Sequence, residues 1–189
     1  MNKAHTEQVR LFVAVPLPEA IKDHLTRWAQ QNKTKLPFRK WTHPADYHIT
    51  LQFLGETSMD KLERLKTALS DVQLPTFGLR LNTVGTFGPP KAPRILWTSV
   101  DGDLPSLGSL HKDVVRRTSP LGFVPEDRPY KPHITLARTF AGEGGLDAAP
   151  FSGFRSSEQW TVDHFVLMRT HLRASPMYET IGKYPLSNR

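Results

Sequence analysis

No cysteine occurs anywhere in the 189 residues. Disulfides and thiolate-ligated metal sites are thereby excluded, and a reducing compartment such as the cytoplasm fits. No apolar run approaches the ~18 residues that a membrane span needs. Leu11 to Leu17 is apolar but short and broken by Pro16, so it reads as a first strand and not as the core of a signal peptide. HExxH, HxH and clusters of carboxylates are also missing, which leaves a metallohydrolase without its ligands. Acidic residues number 18 against 25 basic ones, for a net charge of +7 and a pI near 9.8. That surplus suits an anionic partner such as RNA, and it equally fits a soluble surface with excess charge. Isoleucine is scarce, at 5 residues, and 2 of the 5 stand in a single tetrapeptide that occurs twice.

The tetrapeptide reads His48-Ile49-Thr50-Leu51 and again His133-Ile134-Thr135-Leu136. Random placement would give on the order of 0.002 copies, so an internal repeat is the first thing to weigh. The copies lie 85 residues apart (133 − 48 = 85), too far for a solenoid and suited to two half-domains that each contribute one strand to a shared site. Side chains alternate along a strand, so His48, Thr50 and Gln52 share one face and Ile49, Leu51 and Phe53 the other. The same parity puts His133 and Thr135 together, opposite Ile134 and Leu136. It assigns Phe53 to the core, and it turns Arg138 away from His133 unless the strand ends or bulges near 137.

An imidazole is the side chain best matched to proton transfer near neutral pH, and two of them can act as base and acid in one reaction. Two hydroxyls can donate to two non-bridging oxygens of a phosphate. His48, Thr50, His133 and Thr135 around one point could therefore cut a phosphodiester without a metal. One copy alone would read as a core histidine beside a β-forming threonine; the repetition reverses that preference.

Along the chain, residues 1–8 are polar and read as a loose tail. Val9 to Val15 reads as a buried strand, and Ile21, Leu25 and Trp28 share a helical face after Pro18. Strands follow at Phe38 to Trp41 and Tyr47 to Leu54, with His43 in the turn between them. Leu62, Leu65, Leu69 and Val72 stripe a second helix that Thr57 or Ser58 could cap. Phe77 to Val84 and Arg94 to Val100 are strands around a Gly/Pro-rich loop that contains Phe87. Asp103 can cap a third helix striped by Leu107, Leu110 and Val114. A proline-rich connection from Gly122 to Pro132 carries Arg128 and Lys131 to the second motif. After a Gly/Ala loop from Ala141 to Pro150, Trp160 to Arg169 and Tyr178 to Leu186 read as the last strands, joined by a connection with His171 and Arg173. The order, roughly βαββαββαβββ, indicates an α+β domain with antiparallel pairing.

On these residues the chain resembles the 2H phosphoesterases, named for two His-x-Thr/Ser-x motifs, and among them the RNA 2′,3′-cyclic phosphodiesterases, also called 2′-5′ RNA ligases. The resemblance rests on Arg10-Leu11-Phe12-Val13-Ala14-Val15, Trp41, His48 to Gly55, Pro132 to Arg138, and Tyr178 to Leu186. It implies one domain over residues 1–189, made of two pseudo-symmetric lobes. Each lobe is an antiparallel sheet with helices outside, and the active-site cleft lies between them. It also implies metal-independent and cofactor-free opening of the 2′,3′-cyclic phosphate of RNA or a nucleotide to a 2′-phosphate, with reverse 2′-5′ ligation as a companion activity. His48 is then the acid at O3′ and His133 the base for water. Arg138 matches an arginine associated with the phosphate, Lys131 adds charge, and Trp41, Phe87 and Tyr130 are candidates to stack a base. A cytoplasmic monomer is expected. The competing class is a non-catalytic RNA-binding protein with the same basic cleft, which would not need both histidines and both threonines.

Overall fold

The computed structural model describes residues 7–187. Of the tail expected at residues 1–8, residues 1–6 lie outside the described residues, and Gln8 already belongs to the first strand. The strands are β1 (Gln8–Pro16), β2 (Phe38–Trp41), β3 (His48–Ser58), β4 (Phe77–Phe87), β5 (Ile95–Gly102), β6 (His133–Phe140), β7 (Gln159–Val162), β8 (His164–Thr170) and β9 (Tyr178–Pro185). The helices are α1 (Glu19–Asn32), α2 (Met59–Ser70), α3 (Leu104–Thr118) and the single-turn α4 (Ala149–Ser152). Short 3-10 turns occupy Pro44–Asp46 and Ser119–Leu121. The α+β class with antiparallel pairing throughout matches the sequence reading.

The strands form one curled sheet in the order β7-β4-β5-β6-β3-β1-β8-β9, with β2 also on β6. Two lobes are visible in this order, β3-β1-β8-β9 and β6-β5-β4-β7. They join where β3 meets β6, through the pair Ile49 and Ile134. The two central isoleucines of the repeat are thus the hinge of the sheet, both fully buried. In β1 the alternation is plain. Leu11, Val13 and Val15 face the helices and enter a core with Ile21, Leu25, Leu65, Leu107 and Leu110. Phe12 and Ala14 face the other way, into a small apolar cluster with Val166 and Met168 against which Tyr178 packs. Burying each large aliphatic or aromatic chain contributes about 1.5–3 kcal/mol, which is why parity in this strand is strongly specified.

The lobes are not the N- and C-terminal halves of the chain. The run expected as one strand from Trp160 to Arg169 is broken at Asp163. Its first part, β7, pairs with β4 in one lobe, and its second, β8, pairs with β1 in the other. β2 likewise leaves the N-terminal elements to pair with β6. Among the caps, Asp103 accepts the backbone N–H of Ser106 at 3.0 Å as expected, whereas Ser58 stands at the α2 N-cap without a side-chain hydrogen bond.

Both motif strands carry a bulge at the same place. Val13 pairs with Gln52 and Ala14 with Thr50, leaving Leu51 without a partner across β1. Leu96 pairs with Ala137 and Trp97 with Thr135, leaving Leu136 without a partner across β5. An extra residue flips the parity of everything after it. Burial follows suit in both copies: Leu51 and Gln52 are both buried, as are Leu136 and Ala137, and the next residue, Phe53 or Arg138, is exposed. Phe53 is 59% exposed, so its assignment to the core is corrected. Arg138 takes the equivalent place in the second motif strand, turned by its bulge to the face that carries His133 and Thr135.

Candidate active site

Each motif histidine is the first residue of its strand, so its ring stands at the mouth of the lobe where the incoming segment ends. His48 Nδ1 lies 2.6 Å from the backbone carbonyl of Asp46, and His133 Nδ1 lies 2.7 Å from that of Lys131. A carbonyl only accepts, so in both rings Nδ1 carries the hydrogen and Nε2 is the exchangeable nitrogen. The same i−2 contact in both copies fixes the same tautomer twice. His48 Nε2 lies 3.0 Å from the Thr50 hydroxyl, which donates to it when the ring is neutral.

The segments that lead into the motifs lock the two lobes reciprocally. Thr42, ahead of the first motif, donates its hydroxyl to the Thr135 carbonyl at 2.9 Å and its N–H to the carbonyl of the bulged Leu136 at 2.9 Å. Tyr130, ahead of the second motif, donates its hydroxyl to the Thr50 carbonyl at 2.9 Å. Thr42 thereby extends the β2–β6 register, in which Trp41 stands opposite Ala137, by one residue and pairs the Leu136 carbonyl. Asp46 is 4% exposed, and its carboxylate accepts the N–H groups of Met177 at 2.9 Å and Tyr178 at 3.2 Å. That holds the Tyr178 ring edge-on to His48, with centroids 5.2 Å apart, while Phe12 covers the ring at 4.9 Å. Phe87 meets His133 edge-on at 5.1 Å.

Burial pushes the His48 imidazole down to about 4; the positive charges of His133 and Arg138 add to this, while the carbonyl and carboxylate of Asp46 oppose it. Burial also lowers His133, with Arg138 adding and the Lys131 carbonyl and Glu126 opposing. Arg138 therefore sits within electrostatic reach of both rings, and also of Tyr178. In the free protein both imidazoles therefore lose their proton more readily than an ordinary histidine.

The other candidate residues are placed as follows. Trp41 pairs with the buried Ala137, packs against Phe38 at 6.4 Å and lies under the Lys33 ammonium at 5.7 Å. Tyr130 is stacked on His111 at 4.0 Å, so one ring face is covered as well as its hydroxyl engaged. Lys131 is exposed and lends its carbonyl to His133. Arg128 is exposed and ion-paired to Glu126 at 3.1 Å. His43 is exposed; its Nδ1 accepts the Ala45 N–H, capping the 3-10 turn. Sequence reasoning missed Phe12, Asp46 and Tyr178. Strand parity in β1 was the available signal for Phe12; nothing local marks the other two.

A family profile described as LigT like Phosphoesterase matches residues 15–97 and 102–178. The chain is 40% identical over 178 residues to an RNA 2′,3′-cyclic phosphodiesterase of Geobacillus stearothermophilus, covering 93% of this chain and 56% of that protein. It is 36% identical over 179 residues to the protein of the same name from Bacillus subtilis, covering 93% of this chain and 96% of that one. The chain thus spans little more than half of the first relative and nearly all of the second. Its fold is that of E. coli LigT, crystallised in complex with 3′-AMP, at a TM-score of 0.82 and 23% identity over 96% of this chain and all of that one. The doubled motif, the two bulged strands and the matched profile agree, and the chain belongs to the LigT-like phosphoesterases, the 2H phosphoesterase family whose signature the two tetrapeptides carry.

Proposed function

We propose that the chain hydrolyses the 2′,3′-cyclic phosphate of RNA ends or nucleotides to a 2′-phosphomonoester, by proton transfer between two histidines and without a metal. The observation that carries this reading is the pair of imidazoles with Nδ1 tied to a backbone carbonyl and Nε2 free to gain or lose a proton. The names of relatives at 40% and 36% identity support the substrate class. His133 takes a proton from water, and the water oxygen attacks phosphorus. The P–O3′ bond breaks, and protonated His48 gives its proton to O3′. The products are a 3′-hydroxyl and a 2′-phosphate, and the two rings return to their starting states by exchange with solvent. The resemblance gives His48 the acid role, and the Asp46 carboxylate beside it favours its cation. Thr50 and Thr135 donate to the non-bridging oxygens, and Arg138 balances the charge gathered there. Phe53, exposed at the position equivalent to Arg138, is the surface on which a base stacks; Trp41 and Tyr130 support the strands instead. With a 5′-hydroxyl in place of water as the nucleophile, the same groups break the same P–O3′ bond and join the two ends as a 2′-5′ linkage, with hydrolysis dominant in water. Both motifs come from one chain, so a monomer suffices. No helix among the described residues is long and apolar enough to cross a membrane. With RNA as substrate and no cysteine to oxidise, the cytoplasm is the compartment that fits.

The direct test is phosphorus NMR of the product from a 2′,3′-cyclic nucleotide in excess EDTA. A 2′-monoester formed at an unchanged rate is expected, since no three His, Asp or Glu side chains gather as a metal site among the described residues. A 3′-phosphate, or activity lost on chelation and restored by one divalent ion, would refute the mechanism.

The pH dependence follows from the two depressed imidazoles. Reaction needs one ring protonated and the other neutral, and kcat/KM reports the free protein. Its optimum should therefore lie between about 4 and 6.5, bounded by His48 and by a His133 held below its ordinary value. A bound phosphate favours the imidazolium, so the optimum in kcat should lie at higher pH. An alkaline limb of kcat/KM above pH ~8 would contradict the assignment.

A further inference from the structure

A hollow of about 430 Å³ opens beside the motifs, walled by Pro93, Arg94, Ile95, Arg138 and Phe140 among others, and no carboxylate lines it. Arg138 belongs both to this wall and to the electrostatic surroundings of the two histidines. In register it stands between Ile95 on β5 and Lys40 on β2. Lys40 and Arg138 therefore face each other directly as like charges, a pairing that destabilises a sheet unless an anion lies over it. Arg94 approaches from the β4–β5 turn. Its side chain lies against Gly88, whose missing Cβ would sit 3.1 Å from Arg94 Cγ. Its backbone carbonyl accepts the N–H of Thr139, the residue after Arg138. Among the described residues, none of Lys40, Arg94 and Arg138 forms an ion pair. Two cations, Arg94 and Arg138, thus wall the hollow, a third, Lys40, stands beside Arg138 in register, and none of the three is neutralised by an ion pair among the described residues, surroundings that favour an anion.

A second hollow, about 610 Å³ between α2 and α3, lacks this character. Two of its cations are neutralised in place, Arg116 by Asp113 and Arg117 by Asp71.

We propose that Arg94 and Lys40, with Arg138 as the shared wall, bind the phosphate that links the terminal nucleotide to the one before it in an RNA substrate. The aliphatic and aromatic wall of Ile95, Pro93 and Phe140 accommodates the adjoining ribose or base. This subsite rests on the cyclic-phosphodiesterase reading above and extends it: the substrate is a chain end, and a free cyclic mononucleotide uses only half of the cleft. Neither Arg128 nor Lys131 walls this hollow, and the charge of Arg128 is already paired with Glu126.

The test compares a 2′,3′-cyclic mononucleotide with a dinucleotide that ends in the same group. Arg94→Ala should lower kcat/KM for the dinucleotide roughly 10-fold, the scale of a hydrogen bond to a charged group, and change the mononucleotide by less than about twofold. Arg94→Lys should restore most of the loss, and the salt dependence of the dinucleotide reaction should become shallower in Arg94→Ala. Equal losses on both substrates, or none on the dinucleotide, would overturn the subsite while leaving the catalytic reading intact. A wild-type protein that opens no cyclic end would overturn that reading. The subsite would then be decided by binding of a single-stranded oligoribonucleotide: weaker binding by Arg94→Ala upholds it, and unchanged binding removes it.

Discussion

Replacing His48 or His133 with alanine is expected to lower turnover of a 2′,3′-cyclic nucleotide by roughly 10²–10⁴-fold in each case, the usual worth of a positioned proton donor or acceptor. Each ring is half-buried, His48 held by the Asp46 carbonyl and the Thr50 hydroxyl and His133 by the Lys131 carbonyl; none of these contacts belongs to the backbone ladder, so removal of either ring leaves the sheet intact. The thermal midpoint should change little compared with the loss of rate. The double variant should be little slower than the worse single one, because acid and base act in one transition state. Thr50→Ala and Thr135→Ala should cost less, since water can replace a neutral donor. The two threonines need not be equal. In the free site the Thr50 hydroxyl is engaged by His48 Nε2 and must turn from the ring to the phosphate. Losses under about tenfold in both histidine variants would rule out the proton transfers assigned to them.

Arg138→Ala should reduce kcat by about 10²–10³-fold, the range for removing one charge-stabilising donor from a preorganised site. A second consequence is specific to its position. The Arg138 charge holds both imidazoles down, so its loss should let the pKa values of His48 and His133 rise and move the optimum of kcat/KM to higher pH. Arg138→Lys should keep part of the pH behaviour and less of the rate, because an ammonium supplies charge without the planar fork of a guanidinium. A rate loss with no movement of the pH profile would place Arg138 away from the two rings.

The residues of the site were legible in the sequence to different depths. His48, Thr50, His133 and Thr135 stood out because a scarce residue type recurred inside two identical strings, and the aliphatic partners of each string fixed the buried face. The bulges were not legible. An extra residue at Leu51 or Leu136 is a property of the register between two strands, and no local composition announces it. A strand read with unbroken period two therefore sends Phe53 inward and Arg138 away, and the structure reverses both. The break at Asp163 was hidden for a related reason. Trp160 to Arg169 is strand-forming on both sides of Asp163, a single strand-disfavouring residue that does not by itself tell a bulge from a break, and only the pairing of its two parts with β4 and β1 shows that the chain crosses between lobes there. Asp46 and Tyr178 meet across 132 residues of chain, and both the carboxylate clamp and the edge-on ring contact with His48 arise only in the folded molecule.

The division of labour between the two histidines is tested most directly by a pair of substrates that differ only in the leaving group at the O3′ position. An activated leaving group departs without a proton and so needs no acid. His48→Ala should regain most of its lost rate on the activated substrate, and His133→Ala should regain little, because water still needs its base. Rescue of His133→Ala instead would exchange the two roles; rescue of neither would contradict acid–base catalysis by this pair.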